Sequence, residues 1–370
     1  MIVHKAIGLM SGSSIDGLDI AYAEFWHENG KWEYNLLAGE TILYPSEWKN
    51  ILKNIREFPA KELIEVHHKY GKFLGELTAQ FIRSHKLKPK LIASHGHTVF
   101  HNPEKGYTFQ LGYGQEIAAI TKITTVSDFR TKDIALGGQG APLVPIGDEL
   151  LFGEFAACVN LGGIANMSFN KNGQRVAFDI GPANQLLNYL ANRAGYDYDK
   201  NGEMAMQGKL IDKLYTDLAE EVFYRKSLPK SLSNEYVAAH FIPLLEKSGG
   251  KTEDKLYTVS LHVADQLYKA LSFIPAGDKP NLVPVIRNGI AKRGKDVLVT
   301  GGGAKNRFLI SLLKDITPCN IVVPQENLID FKEALIFAFM GVLKLKNKIN
   351  CLSTATGALK NSSAGVVFKP

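Results

Sequence analysis

The feature that most constrains the fold is an echo between the two halves of the chain. Residues 6–26 run strand, Gly/Ser turn, strand, and residues 157–170 do the same around LGGIAN. Gly turns between strands are common. Two halves that each open on one nevertheless suggest a duplicated α/β fold with a cleft between its halves. The surrounding pattern agrees. Ala6–Met10, the alternating Asp19–Phe25 and, after the Asn29-Gly30 turn signal, Trp32–Tyr44 read as strands. Residues 61–86 carry apolar groups at helical spacing, and Leu91–Ser94 and Thr124–Ser127 read as short strands. In the second half, 158–161, 167–169, 176–179 and 297–300 read as strands. Helices are predicted at 183–194, 207–223, 235–247, 253–274, 304–313 and 330–345. The Gly/Pro-rich stretch DIALGGQGAPLVPIG, 133–147, reads as a hinge or crossing. The first domain is therefore placed at 1–133 with 346–370, and the second at 134–345.

A chain of 370 residues is long enough for two such domains and needs no disulfide or structural metal. Cys158, Cys319 and Cys351 form no CxxC pair, which argues against a cysteine zinc site and fits a reducing cytoplasm. No apolar run approaches the roughly 20 residues of a membrane helix, and MIVHKAIGLMSGSS has no basic leader ahead of a long apolar stretch. A cytoplasmic protein without membrane contact is expected. Net charge is +6, and residues 281–350 hold 11 Lys/Arg against 5 Asp/Glu. Those bases are spaced out with few aromatics among them, unlike a nucleic-acid stripe. They form either a solvated face or a field that attracts a polyphosphate.

Five segments could carry chemistry. In GLMSGSSIDGLD, Gly8–Asp19, small residues leave backbone N–H groups free to face an anion, Ser11, Ser13 and Ser14 add hydroxyls, and Asp16 and Asp19 could hold magnesium. The alternative is a solubilised hairpin turn. No GxxxxGK[ST] occurs, which excludes a Walker P-loop. TGGGAKN, Thr300–Asn306, lies between a strand and a helix, and its glycines either admit phosphate at the helix N-terminus or make a tight turn. In FDIGPAN, Asp179 at the end of a strand is either a general base facing a ligand crevice or the cap of the next helix. In SHGHTVFH, His95, His97 and His101 could be a metal cluster, with HxH on one face of a strand. Hydrogen bonding of a polar ligand by His95 and Thr98 is the better functional reading, beside a plain surface turn. In DFRTKDIALGGQGAPL, Arg130 could clamp a carboxylate, or the segment is a polar interdomain linker.

Together these segments, with NLGGIAN, DFKEALIFAF and the closing STATGALK, resemble the anhydro-N-acetylmuramic acid kinases of bacterial peptidoglycan recycling, in order and over nearly the whole length. The resemblance implies two related ribonuclease-H-like domains of the actin/hexokinase type with an interdomain ATP cleft. It implies a Mg2+-ATP-dependent enzyme that opens the 1,6-anhydro bridge of its sugar with water and phosphorylates O6. Asp179 would be the base. Gly12, Ser13, Ser14, Ile15, Asp16, Gly17, Leu18, Asp19, Gly162, Gly301, Gly302, Gly303 and Asn306 would bind ATP. His95, Thr98, Arg130 and Glu333 would lie by the sugar, and a homodimer is suggested. The chain departs from the family pattern at SGSS for SGTS, at His97 for Gln, at Ile180, and at PKSLSNE (229–235) for PKSTGRE. The last departure raises an alternative: an ATP-binding sugar sensor of the same fold with weak or altered turnover.

Overall fold

In both halves of the chain a three-stranded antiparallel meander begins a mixed sheet that two parallel strands then extend. A computed structural model describes residues 2–12, 15–275, 284–287, 290–293 and 295–370. Two compact units emerge, residues 1–151 with 331–370, and residues 152–330.

In the first unit, β1 (His4–Ser11), β2 (Gly17–Glu28) and β3 (Lys31–Leu43) form the meander. β4 (Leu91–Ser94) runs parallel to β1. A separate hairpin, β5 (His97–Asn102) with β6 (Tyr107–Leu111), follows. β7 (Thr125–Ser127) then lies parallel to β4, and the C-terminal strand Val366–Phe368 adds antiparallel to β7. All four residues of β4 are buried, as expected of a parallel strand covered on both faces. The edge strand β3 keeps Lys31, Glu33 and Glu40 exposed, which discourages further strand pairing. The helix Ala60–Ser84 covers one face through Tyr70, Leu74 and Phe81. The apolar helix Glu326–Leu345 lies against β1 at Gly8, where a Cβ would meet the Ala334 carbonyl oxygen at 1.7 Å. A residue larger than glycine there forces helix and sheet apart.

In the second unit, β8 (Ala157–Leu161), β9 (Ile164–Lys171) and β10 (Gln174–Pro182) repeat the meander. A small hairpin, β11 (Pro284–Arg287) with β12 (Ile290–Arg293), stands apart. β13 (Asp296–Thr300) and β14 (Asn320–Val322) extend the sheet in parallel from β8. The first sheet runs 3-2-1-4-7 and ends on the C-terminal strand, the second runs 10-9-8-13-14, and directions match over the five shared positions. The second meander and its parallel extension therefore repeat the first, and both units have the ribonuclease-H-like order. The core of this unit packs Phe169, Phe178 and Phe241 between the sheet and the helix Thr252–Leu271.

Local expectations change, and the helix predicted at 207–223 shortens to Asp212–Ala219. The helix predicted at 235–247 is one α turn, Asn234–Tyr236, then a π segment, Val237–Phe241, and a second α piece, Ile242–Lys247. Pro243 lacks the N–H an α ladder needs, and the helix widens just before it. The histidines 95 and 97 do not share a strand. Gly96, at φ +73°, turns the chain between β4 and β5. Among the described residues, no helix is long and apolar enough to cross a membrane.

Candidate active site

Asp179 sits on β10, three residues before its end, at a bulge. The cap reading fails: the helix Asn184–Arg193 has Ala183 at its N-cap and no side-chain cap. Instead, Asp179 Oδ2 accepts from Leu232 N at 2.8 Å, and Asp179 N donates to Lys230 O at 2.9 Å. One backbone stretch, 230–232, therefore holds both the strand and the carboxylate. Burial pushes the carboxyl up to about 6, opposed by that amide hydrogen bond. It is ionised at neutral pH yet far more basic than an exposed Asp, the range a general base needs.

Asp179 heads a polar row across the sheet: it pairs with Asn166, Asn166 with Asn160, and Asn160 with Thr300. The glycine turns close over the same end. Gly162 O accepts from Asn184 N, and Gly163 O from Ala183 N and Gln185 N. Gly301, at φ +81°, approaches the Leu161 carbonyl so closely that a Cβ would sit 2.9 Å from it, and a Cβ on Gly303 would sit 2.8 Å from Leu161 Cβ. Gly162, Gly301 and Gly303 are thus brought together. The turn is a short 3-10 piece, Gly302–Lys305, and the helix starts later than predicted, at Arg307. Asn306 Oδ1 caps that helix through Leu309 N at 3.1 Å.

In the first unit, the loop after β1 leaves Gly12 half-buried and Asp16 exposed, with Ile15 at φ +59°. Ser13 and Ser14 lie outside the described residues. Gly17 and Leu18 are buried at the start of β2, and Asp19 accepts from Thr41 Oγ1 at 2.6 Å. A buried hydroxyl chain holds both ends of this loop. Tyr44 N donates to Asp16 O, Tyr44 OH meets Tyr70 OH at 2.6 Å, and Tyr70 OH donates to Ser11 Oγ at 3.0 Å. Ser11 Oγ lies 3.2 Å from His97 Nδ1. Burial pushes His97 down to about 4, so its ring is neutral and can accept at Nδ1.

Arg130 precedes the short helix Thr131–Ala135. Its Nε and Nη2 approach His95 Nε2 at 2.9 and 2.8 Å, and Nη1 donates to Gly140 O at 2.6 Å. Burial lowers Arg130 to about 10, while Glu333 holds it up. Glu333, on the helix Glu326–Leu345, is raised by burial and by Asp19, and lowered by Lys332 and Arg130. Electrostatically, then, Asp19, Arg130 and Glu333 belong to one cluster. Thr98 lies on β5, with Gln110 Nε2 at 3.4 Å. His101 pairs with Thr108 Oγ1 at the exposed end of the hairpin. The metal reading fails: the three histidines have separate partners, and no group of three His, Cys, Asp or Glu that could hold a metal exists among the described residues.

Three features escape a reading of residue types. Lys332 and Asp148 form a buried ion pair at 2.7 Å beside Glu333; a lone Lys in the apolar run FKEALIFAF was the available signal. Asn160 and Asn166 frame the LGGIA turn symmetrically in sequence, which marks them as a pair. A recess of about 190 Å³, lined by His67, His95, Gln110, Tyr113 and Asp128 among others, opens beside the Arg130 cluster.

Comparison with known proteins adds what geometry does not supply. The family model described as anhydro-N-acetylmuramic acid kinase matches residues 4–370. The anhydro-N-acetylmuramic acid kinase of Hydrogenovibrio crunogenus is 33% identical over 381 residues, covering 98% of each chain. That of Mannheimia succiniciproducens is 33% identical over 393 residues, covering 100% of both. Among solved structures, component A of the (R)-2-hydroxyglutaryl-CoA dehydratase of Acidaminococcus fermentans aligns at TM-score 0.46 and 13% identity, over 93% of this chain and 99% of that one. A likeness at that level carries no functional weight.

Proposed function

On the premise that the chain belongs to the anhydro-N-acetylmuramic acid kinase family and is a kinase, we propose that it acts on 1,6-anhydro-N-acetylmuramic acid with ATP and water. The products are N-acetylmuramic acid 6-phosphate and ADP, a step of peptidoglycan recycling. The observation that carries this reading is Asp179, a half-buried carboxylate raised to about 6 and aimed by one backbone amide. Water attacks the anomeric carbon and gives a proton to Asp179. The bond from that carbon to the bridging oxygen breaks. The freed O6 takes the γ-phosphoryl group, and ADP leaves. No protein nucleophile is needed, so positioning and electrostatics carry the catalysis.

The Gly12–Gly17 loop and the Gly162 and Gly301–Gly303 turns are the assigned ATP contacts, because glycine lets a ligand reach backbone N–H groups. Asp19 and Asp16 are the carboxylates that would hold magnesium. This sparse donor set suits an ion that keeps several waters and takes one or two carboxylates beside the substrate's phosphates. When bound, the ion would neutralise charge on the transferring phosphoryl group. Arg130 is assigned to the lactyl carboxylate of the sugar, with Thr98 and Glu333 nearby on the sugar side. A sensor without turnover is not favoured, since the Asp179 contacts are to backbone atoms that the PKSLSNE side chains do not supply.

The test is ADP release from Mg2+-ATP with and without 1,6-anhydro-N-acetylmuramic acid. Sugar-dependent release should fall by about 10²–10⁴ in Asp179→Asn, and mass spectrometry should show a product that gained both a phosphate and a water. ATP binding with no sugar-dependent ADP in the wild type would overturn the reading. An Arg130→Ala variant with unchanged sugar KM would remove the lactyl assignment alone.

A further inference from the structure

We propose that His95 is a positioning residue that seats Arg130 and does not itself bind the sugar. The inference rests on the assignment of Arg130 as an anion partner made above. Both ring nitrogens of His95 are committed inside the fold. Nδ1 lies 2.8 Å from the Gly96 carbonyl oxygen. A carbonyl only accepts, so the ring proton is on Nδ1. Nε2 then carries the lone pair and accepts from Arg130 Nε at 2.9 Å and Nη2 at 2.8 Å. The ring is 4% exposed and packs on Phe337 with centroids 4.8 Å apart. Burial and the guanidinium keep it neutral, the form this geometry requires.

The opposite edge of Arg130 is held as firmly. Nη1 donates to Gly140 O at 2.6 Å, and Gly140 N donates to Asp133 Oδ2 at 2.8 Å. Asp133, 1% exposed, accepts at Oδ1 from Thr356 Oγ1 at 2.7 Å. A guanidinium has five N–H groups. Three are spent on His95 and Gly140. One remains on each terminal nitrogen, which is what a fork needs to close on a carboxylate. This explains why the closing STATG stretch is tied to the DFRTKDIALGGQG segment: Thr356 fixes Asp133, which fixes Gly140, which fixes Arg130.

A double-mutant cycle tests the assignment, with kcat and KM for 1,6-anhydro-N-acetylmuramic acid read from sugar-dependent ADP release. His95→Ala should lower kcat/KM by about 10- to 100-fold, mainly through KM. His95→Ala with Arg130→Ala should be within about twofold of Arg130→Ala alone, because the histidine acts through the arginine. His95→Gln, whose Oε1 can accept from the guanidinium, should recover most of the loss. Effects that multiply in the double variant would overturn the proposal, as would an unchanged KM in a folded His95→Ala protein. Nitrogen-15 NMR of the wild type, independent of turnover, should find the Nδ1–H tautomer; an Nε2–H tautomer would also overturn it. Absence of sugar-dependent ADP in the wild type instead removes the functional reading on which the proposal stands.

Discussion

The two units bury carboxylates in opposite ways. In the first, Asp148 is 2.7 Å from the Lys332 ammonium, with both side chains 6% exposed. In the second, half-buried Asp179 accepts from one backbone amide, no cation among the described residues pairs with it, and burial lifts it to about 6. Asp148 sits on the helix Pro145–Leu151 and Asp179 on β10, but what sets their proton affinities apart is the company each keeps. A buried carboxylate beside a cation is a structural charge. A half-buried carboxylate held by an amide rather than a cation keeps enough proton affinity to act as a base.

The largest effect comes from making the first case resemble the second. Lys332→Met leaves Asp148 without that ammonium and should cost about 3–5 kcal/mol in urea unfolding at neutral pH. Adding Asp148→Leu should recover most of the loss, because a well-packed apolar pair is often as stable as the ion pair it replaces. A Lys332→Met protein with wild-type stability would break the comparison.

The reverse change sharpens it. A folded-state carboxyl raised above its unfolded value binds a proton more tightly than the unfolded chain does. Asp179 therefore destabilises the fold once pH passes from about 4 to about 6 and above. Asp179→Asn should be more stable than wild type by about 1–2 kcal/mol at pH 8, allowing for partial solvent screening. The advantage should shrink below pH 6 and vanish below about pH 4, while turnover is lost. In the wild type, kcat/KM should rise with pH up to about 6 and then level off. A constant gap between the two melting curves across pH 4–8 would show that burial does not set this proton affinity.

The strands of both opening meanders and the buried strand Leu91–Ser94 were legible because alternation and continuous apolar runs report burial directly. Asp179, Arg130 and the glycine turns were also legible as candidates, since residue type and placement beside a turn mark them. Their seats were not. Asp179 is held by the amide of a residue 53 positions away, and any residue but proline supplies an amide. His95 and His97 read as a pair until the left-handed turn at Gly96 sends them to different partners. Lys332 stood out in an apolar helix, but nothing local pointed to Asp148.

The smallest effect bears on the segment that departs from the family pattern. Ser233 lies in PKSLSNE, and its Oγ accepts from Tyr236 N at 3.1 Å as the N-cap of the Asn234–Tyr236 turn. Ser233→Ala should cost about 1 kcal/mol, and Ser233→Gly only a few tenths. Neither should move kcat/KM by more than about twofold, because Asp179 is positioned by Lys230 O and Leu232 N, which these changes leave in place. The cap stabilises the segment, and the backbone before it aims the base. If Ser233→Gly instead raised turnover severalfold, the side chains of this segment would be acting on the chemistry. The contrast between a charge held by its neighbours and a base held by an amide would then have to include them.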